Sequence, residues 1–239
     1  MQGKGRRLRF PLIVLLVVAV LAIRWFGPFS DSTEEAKNTS EVSELAAKDV
    51  RVYLPPLPSL TFFFAGEGME FASFTRKITF SDPQTLQIED SSGTNLAQVV
   101  EVSAEQLRIV WAEEEFYEEK NLLDEGARQN RQGGAERDLI LLQAPISPGH
   151  SWSDESFQRE IIATDETVTV PLGTFYEVVV VKNRSLAADN FVTYEYYAKN
   201  IGLIKRVSVA ESGDDADDFG VAYAIVSSLS RLVGPPSPR

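Results

Sequence analysis

From Leu60 onward, short runs of β-branched and aromatic residues return about every ten residues, and no stretch holds a helical period for long. That rhythm restricts the fold more than any other feature of the chain. Leu60–Ala65 is a continuous apolar run. Over 71–80, Ala72, Phe74, Arg76, Ile78 and Phe80 form the more apolar face of a half-buried strand. Thr85–Glu89, Leu96–Val102, Gln106–Trp111, Asp138–Gln143, Phe157–Ala163, Thr167–Val170, Thr174–Lys182, Phe191–Ala198, Leu203–Val209 and Val221–Leu229 continue the series. Turn residues separate them: Ser81-Asp-Pro, Asp90-Ser-Ser-Gly-Thr-Asn, Pro145-Ile-Ser-Pro-Gly, Pro171-Leu-Gly and Asn200-Ile-Gly. Trp152 is expected to pack back on the core. The class is mainly β: an antiparallel curved sheet, a sandwich or an open barrel.

One segment breaks the rhythm. Over 112–137, Glu113, Glu114, Glu115, Glu118, Glu119 and Glu125 crowd together, and the tract from Gln129 to Gly134 offers no core-forming residue. It reads as an exposed loop with a helical turn near Glu114–Asn121.

Ahead of the strands lies a different kind of sequence. Phe10 to Ile23 carries no charge. At about 1.5 Å per residue it covers about 21 Å, short of a hydrocarbon core of about 30 Å. Arg24 can snorkel, and Trp25, Phe26 and Phe29 suit the interfacial belt, so the segment 10–29 is long enough to span as one N-terminal transmembrane helix. Lys4, Arg6, Arg7 and Arg9 precede it, while Asp31, Glu34, Glu35, Glu41 and Glu44 follow it. The positive-inside rule then places residues 1–9 in the cytoplasm and the C-terminal domain outside. A cleaved signal peptide also fits a basic start and a short apolar run, but no small-x-small site follows the run. Residues 30–49 are polar and acidic and read as a flexible tether. Leu54-Pro-Pro-Leu-Pro leads into a domain over 50–233, and 234–239 is a frayed tail.

The 239 residues carry a net charge of −12, and taking out the five positive charges of residues 1–24 leaves −17. A phosphate-binding face needs a basic patch, and none is visible, so nucleic acid is not expected as a partner. The chain has no cysteine, which removes disulfides, zinc–thiolate sites, iron–sulfur clusters, thiol nucleophiles and lipid attachment through cysteine.

The block from Glu166 to Val178, with Val170-Pro-Leu-Gly-Thr-Phe at its centre, and the block Tyr194-Glu-Tyr-Tyr-Ala-Lys-Asn-Ile-Gly-Leu-Ile-Lys-Arg carry a recognisable signature. They resemble a group of uncharacterised exported, membrane-anchored bacterial proteins of Firmicutes type, with a VPxGTFxxV…YYAxxxGLIK pattern. Gly66-Glu-Gly, Phe74-Thr-Arg-Lys and Pro148-Gly-His-Ser-Trp fit as well, so the resemblance covers roughly residues 60–210. Leu172 replaces the usual alanine, and Asn200-Ile replaces Gly-Val. The resemblance implies a β domain outside the cell and transfers no catalytic residue.

Candidate sites are few. His150 is the single histidine, lies in a turn, and has no Gly-x-Ser-x-Gly elbow to serve. The cluster Glu113–Glu119 and the run Glu211-Ser-Gly-Asp-Asp-Ala-Asp-Asp lack the spacing of a calcium loop. Asn38-Thr-Ser and Asn183-Arg-Ser match the glycosylation sequon, which is common by chance. No metal, cofactor or catalytic residue is assigned, and the chain is not expected to be an enzyme. The aromatics are the remaining candidates. Phe62, Phe64, Phe74, Tyr194 and Tyr196 foremost, with Phe63, Phe71 and Tyr197, could line a cavity for a lipid-like ligand on a curved sheet; core filling is the alternative.

The expectation is therefore a binding or envelope-structural module, single-pass in the cell membrane through residues 10–29, with an envelope protein or an apolar ligand as partner. A carrier or sensor of an apolar molecule and a hydrolase of unknown substrate are the alternatives.

Overall fold

The computed structural model describes residues 49–58, 60–129, 131–187, 191–210 and 224–234. The apolar segment 10–29, the rest of the sequence before Asp49, the Asp-rich run after Ala210 and the tail from residue 235 lie outside the described residues. Among the described residues no helix is long and apolar enough to cross a membrane.

Among the described residues the domain is one antiparallel sheet of twelve strands. In chain order they are β1 Thr61–Glu67, β2 Phe74–Ser81, β3 Thr85–Ser92, β4 Thr94–Val102, β5 Gln106–Glu114 and β6 Gly134–Gln143, then β7 Ser151–Ser153, β8 Phe157–Val170, β9 Gly173–Ser185, β10 Phe191–Ala198, β11 Gly202–Ala210 and β12 Ala224–Val233. The spatial order is β6-β5-β4-β3-β2-β1-β12-β11-β10-β9-β8-β7. Two meanders thus meet along the β1–β12 ladder, with Phe64 opposite Leu229 and Gly66 opposite Ser227.

The sheet curls until its two edges, β6 and β7, face each other. They are joined by side chains instead of a ladder. The Ile140 amide on β6 donates to Asp154 Oδ2 at 3.0 Å, and Trp152 Nε1 on β7 donates to the Ile140 carbonyl at 2.9 Å. The two backbone groups of Ile140 that face the seam are satisfied in this way. The result is a nearly closed barrel, which settles the choice among curved sheet, sandwich and open barrel.

Alternation fills the lumen. Phe62, Phe64, Ile78, Leu86, Ile88, Val100, Leu107, Ile161, Val179, Val181 and Leu229 are all enclosed in one apolar core. The chain before β1 belongs to that core too. Residues Val50–Tyr53 form a 3-10 turn capped by Asp49, whose carboxylate accepts from the Arg51 amide at 3.0 Å. Val50 donates to the Ala104 carbonyl at 2.9 Å, and Asn200 donates to the Val52 carbonyl at 2.7 Å. Val50, Tyr53 and Leu54 are buried. The domain therefore begins with a plug at one end of the barrel, ahead of the Leu54-Pro-Pro-Leu-Pro segment.

Other differences from the sequence reading have local causes. The alternating stretch 71–80 is not one strand: Glu70–Ala72 is a 3-10 turn packed on Gly66, where any Cβ would meet Ser73 N at 2.1 Å. Phe157–Ala163 and Thr167–Val170 are one strand, β8, whose register shifts at three places against β9. The segment between β5 and β6 is not simply exposed. Gln87, fully buried on the outer face of β3, accepts from the Leu122 amide at 2.7 Å and donates to the Lys120 carbonyl at 3.0 Å. This pins Phe116 and Leu122 over Ala97, Val99 and Trp111 as a second, smaller core. The helical turn is at Glu125–Arg128, capped by Asp124, because the acids upstream are held by Arg131 instead.

Candidate functional site

A hollow of about 230 Å³ opens in the lumen beneath Leu54. Its apolar wall comes from Leu54 of the plug, Ile88, Leu96, Leu107, Ile109, Leu141 and Leu203; its polar groups are Arg76, Asp90, Gln98, Tyr197 and Arg206. Those polar residues lie on the lumenal face because the register puts them there: Arg76 stands opposite Asp90 across β2 and β3, and Glu195 opposite Arg206 across β10 and β11.

The charges inside form a linked set. Arg76 donates to both oxygens of Asp90, Nε to Oδ1 and Nη2 to Oδ2, each at 2.7 Å. This fork is strongly charge-assisted. Burial opposes the Arg76 charge, but the Asp90 carboxylate beside it outweighs burial and raises its pKa. Glu195 accepts from Arg206 Nε at 3.1 Å and from the Tyr197 hydroxyl at 2.9 Å. Burial alone would raise Glu195, yet the positive charges of Arg206 and Arg159 hold its carboxyl below the usual range. Tyr197 moves the other way: burial, then the Glu195 charge, push its hydroxyl far up. It stays a donor at any physiological pH. Arg159 closes the set by donating to Asp154, whose oxygens also take the amides of Ile140, Ser156 and Phe157.

Phe74 lies between two cations. The Arg76 and Arg206 guanidinium carbons stand 5.8 and 5.9 Å from its ring centre, and its other neighbour, Phe64, stacks on it at 4.2 Å. Such contacts favour guanidinium over ammonium.

The aromatic candidates divide. Phe62, Phe64 and Phe74 are core residues. Tyr194 and Tyr196 alternate with Glu195 and Tyr197 and do not line the hollow; Tyr196 is half-buried, packs against the core, and has Lys205 Nζ 5.7 Å from its ring. Tyr197 is the aromatic candidate that lines the lumenal hollow. Sequence reasoning passed over Arg76, Asp90, Glu195 and Arg206. The available signal was a charged residue on a strand's apolar face, as at Arg76 between Phe74 and Ile78.

Two further hollows lie outside the lumen. One, of about 440 Å³, lies along β8 and β9 and includes Gln158, Glu160, Lys182 and Arg184. The other, of about 330 Å³, lies beside the turn Glu125–Arg128. His150 lies against Trp152 with ring centres 5.7 Å apart, and its Nε2 is enclosed without a hydrogen-bond partner. Glu113 of the acidic cluster is buried and engaged by Arg131 through two bonds of 2.5 and 2.6 Å, and Glu118 joins the same guanidinium at 3.3 Å. Among the described residues no three acids or histidines converge on one point as metal ligands would.

The signature blocks have structural duties. Val170-Pro-Leu-Gly is the β8–β9 hairpin, tied back by Leu172 donating to the Leu229 carbonyl at 3.1 Å. Asn200, at φ 62°, turns β10 into β11 and holds the plug.

No protein-family model and no curated protein matches the chain. Two solved structures are similar in part. A Bacteroides fragilis chain described as an exported protein with a YmcC-like fold is 15% identical, with 76% of this chain and 99% of that chain covered and a TM-score of 0.45. A Parabacteroides distasonis chain described as a lipoprotein is 11% identical, with coverage of 76% and 98% and a TM-score of 0.34. Neither likeness is close enough to carry function or location to this chain.

Proposed function

We propose that this chain is a membrane-anchored, extracytoplasmic binding module that takes a small ligand into its barrel and performs no chemistry on it. The observation that carries the reading is the lumenal hollow, where a leucine-rich wall meets polar groups that the protein does not fully use. Binding sites have this composition: mostly apolar, with a few placed polar groups. The apolar segment 10–29, the basic start before it and the acidic tether after it support the anchor and the outward orientation. The resemblance of the 166–206 blocks to exported proteins points the same way. Within the hollow, Asp90 is clamped by Arg76 and the Tyr197 hydroxyl is committed to Glu195, which leaves no nucleophile–base pair there.

Native mass spectrometry of the full chain, extracted from the envelope in mild detergent, tests the ligand. A bound small molecule of fixed mass is expected. A clean ligand-free mass in repeated extractions would overturn the binding reading and leave an envelope-structural role. Protease added to intact, wall-stripped cells tests the location. Trimming to a small anchored fragment is expected, and full protection would overturn the outward orientation.

A further inference from the structure

The hydrogen-bonding groups around the hollow are unbalanced. Both Asp90 oxygens are taken by Arg76, and both Glu195 oxygens are taken by Arg206 and Tyr197. The donors are not used up. Arg206 gives only its Nε, so Nη1 and Nη2 bond to no group of the described protein; Arg76 Nη1 and the Gln98 amide are in the same position. Arg206 also keeps 36% of its side chain accessible although it lies on the lumenal face. What would complete the hollow is therefore a group rich in acceptor oxygens, next to an apolar body that matches the leucines. The hollow, about 230 Å³, lies at the small end of ligand sites, which favours a short apolar body over a long chain.

We infer that the lumenal hollow is a binding site for a short aliphatic carboxylate, held at its head by the Nη groups of Arg206 with Gln98 as a second donor, its chain against Leu96, Leu107 and Leu203. The inference rests on the binding-module reading and gives the ligand its chemistry. A guanidinium edge matches a carboxylate in two parallel bonds, and charge-assisted bonds are about twice as strong as neutral ones. The lumenal Arg76–Asp90 and Arg206–Glu195 pairs are already neutral as pairs, so selectivity comes from the open fork of Arg206 and not from net charge.

Hexanoate is the probe, with hexanamide as its neutral analogue of the same size. Saturation-transfer NMR on the full chain in nanodiscs, against empty nanodiscs, reads the binding. One saturable hexanoate site per chain is expected, about tenfold tighter than hexanamide. Arg206→Gln should weaken hexanoate about tenfold and leave hexanamide unchanged. Gln98→Leu breaks no ion pair and should weaken hexanoate severalfold; it serves if Arg206→Gln does not fold. Equal binding of the two probes, or full hexanoate binding by a folded Arg206→Gln chain, would overturn the carboxylate assignment while the binding module stands. Binding of neither probe, with the native adduct still present by mass spectrometry, would do the same. Absence of both probe binding and adduct would remove the inference and the reading together.

Discussion

Arg159 and Arg206 face the same carboxylate, Glu195, from β8 and β11, yet they do different work. Arg159 is 3% exposed and donates to Asp154, an acid whose remaining capacity is filled by three backbone amides. Each guanidinium makes one hydrogen bond among the described residues, but Arg206 is twelve times more accessible, whereas Arg159 Nε is enclosed without a partner. The difference follows from what the chain supplies nearby. The turn after β7 brings Asp154 to the seam, so the guanidinium there is enclosed beside the contact that holds β6 against β7. Beside β11 the other acid of the hollow, Asp90, is taken by Arg76 on both oxygens, and the Arg206 guanidinium is left facing space. The same residue type closes the barrel at one point and leaves it receptive at another.

The comparison can be broken most forcefully at Asp154. Asp154→Ala leaves Arg159 buried without its partner and strips the Ile140 amide, and should cost about 3–5 kcal/mol. Urea unfolding would read it, and hydrogen exchange at Ile140 should rise to match. A loss under about 1 kcal/mol would mean the seam is held by Trp152 and packing alone.

Glu195→Gln comes next. It keeps an acceptor for Tyr197 but removes the charge that both arginines share, for an expected loss of about 2 kcal/mol. If the loss matched that of Asp154→Ala, the two arginines would not differ in role.

Acid should show the same group. Burial opposes the charged form of Glu195, but its arginine neighbours win and its folded pKa lies below the ordinary 4.5. Its contribution is therefore fully present above pH 4.5 and disappears as pH falls through the lower folded value. The urea midpoint of the native chain should drop across that window more than that of Glu195→Gln. Parallel curves would show that the carboxylate carries no linked stability.

The smallest effect is expected at Arg206 itself. Arg206→Gln should cost about 1 kcal/mol: its partner Glu195 is buried but keeps the charge of Arg159 and the Tyr197 hydroxyl, and the Arg206 end is one-third accessible. A large loss would place Arg206 with Arg159 as a structural cation.

The strands were legible because their alternation survives in every meander. The run Phe191–Ala198 matches β10 to the residue, and β4, β5, β9 and β11 extend a few residues beyond the runs that predict them. Closure was not legible. It depends on Trp152 and Asp154 reaching Ile140 across the seam, a contact between edges that no local pattern announces. The clamp over the outer face was missed for a related reason. Phe116 and Leu122 stand alone among glutamates, and their burial depends on Gln87 some thirty residues earlier. At the hollow, the alternation puts Arg76 on the apolar face of its strand, but periodicity does not distinguish a buried arginine with a fork partner from an error of register. The partner, Asp90, falls in a predicted turn, whereas β3 runs on through it to Ser92.

The β1–β12 ladder has a consequence for the birth of the molecule. Every other ladder joins strands that are neighbours in sequence, so each can zip as soon as both have left the ribosome. β1 must wait for a partner that is synthesised last. At ~5–20 residues per second, the stretch from Glu67 to Ala224 takes roughly 8–30 s to make. For that time the edge Phe62-Phe63-Phe64 stands bare on one side, an adhesive strip on an unfinished chain. A chaperone that covers this edge until β12 arrives would protect the nascent chain, and a truncation before β12 would leave it sticky for good.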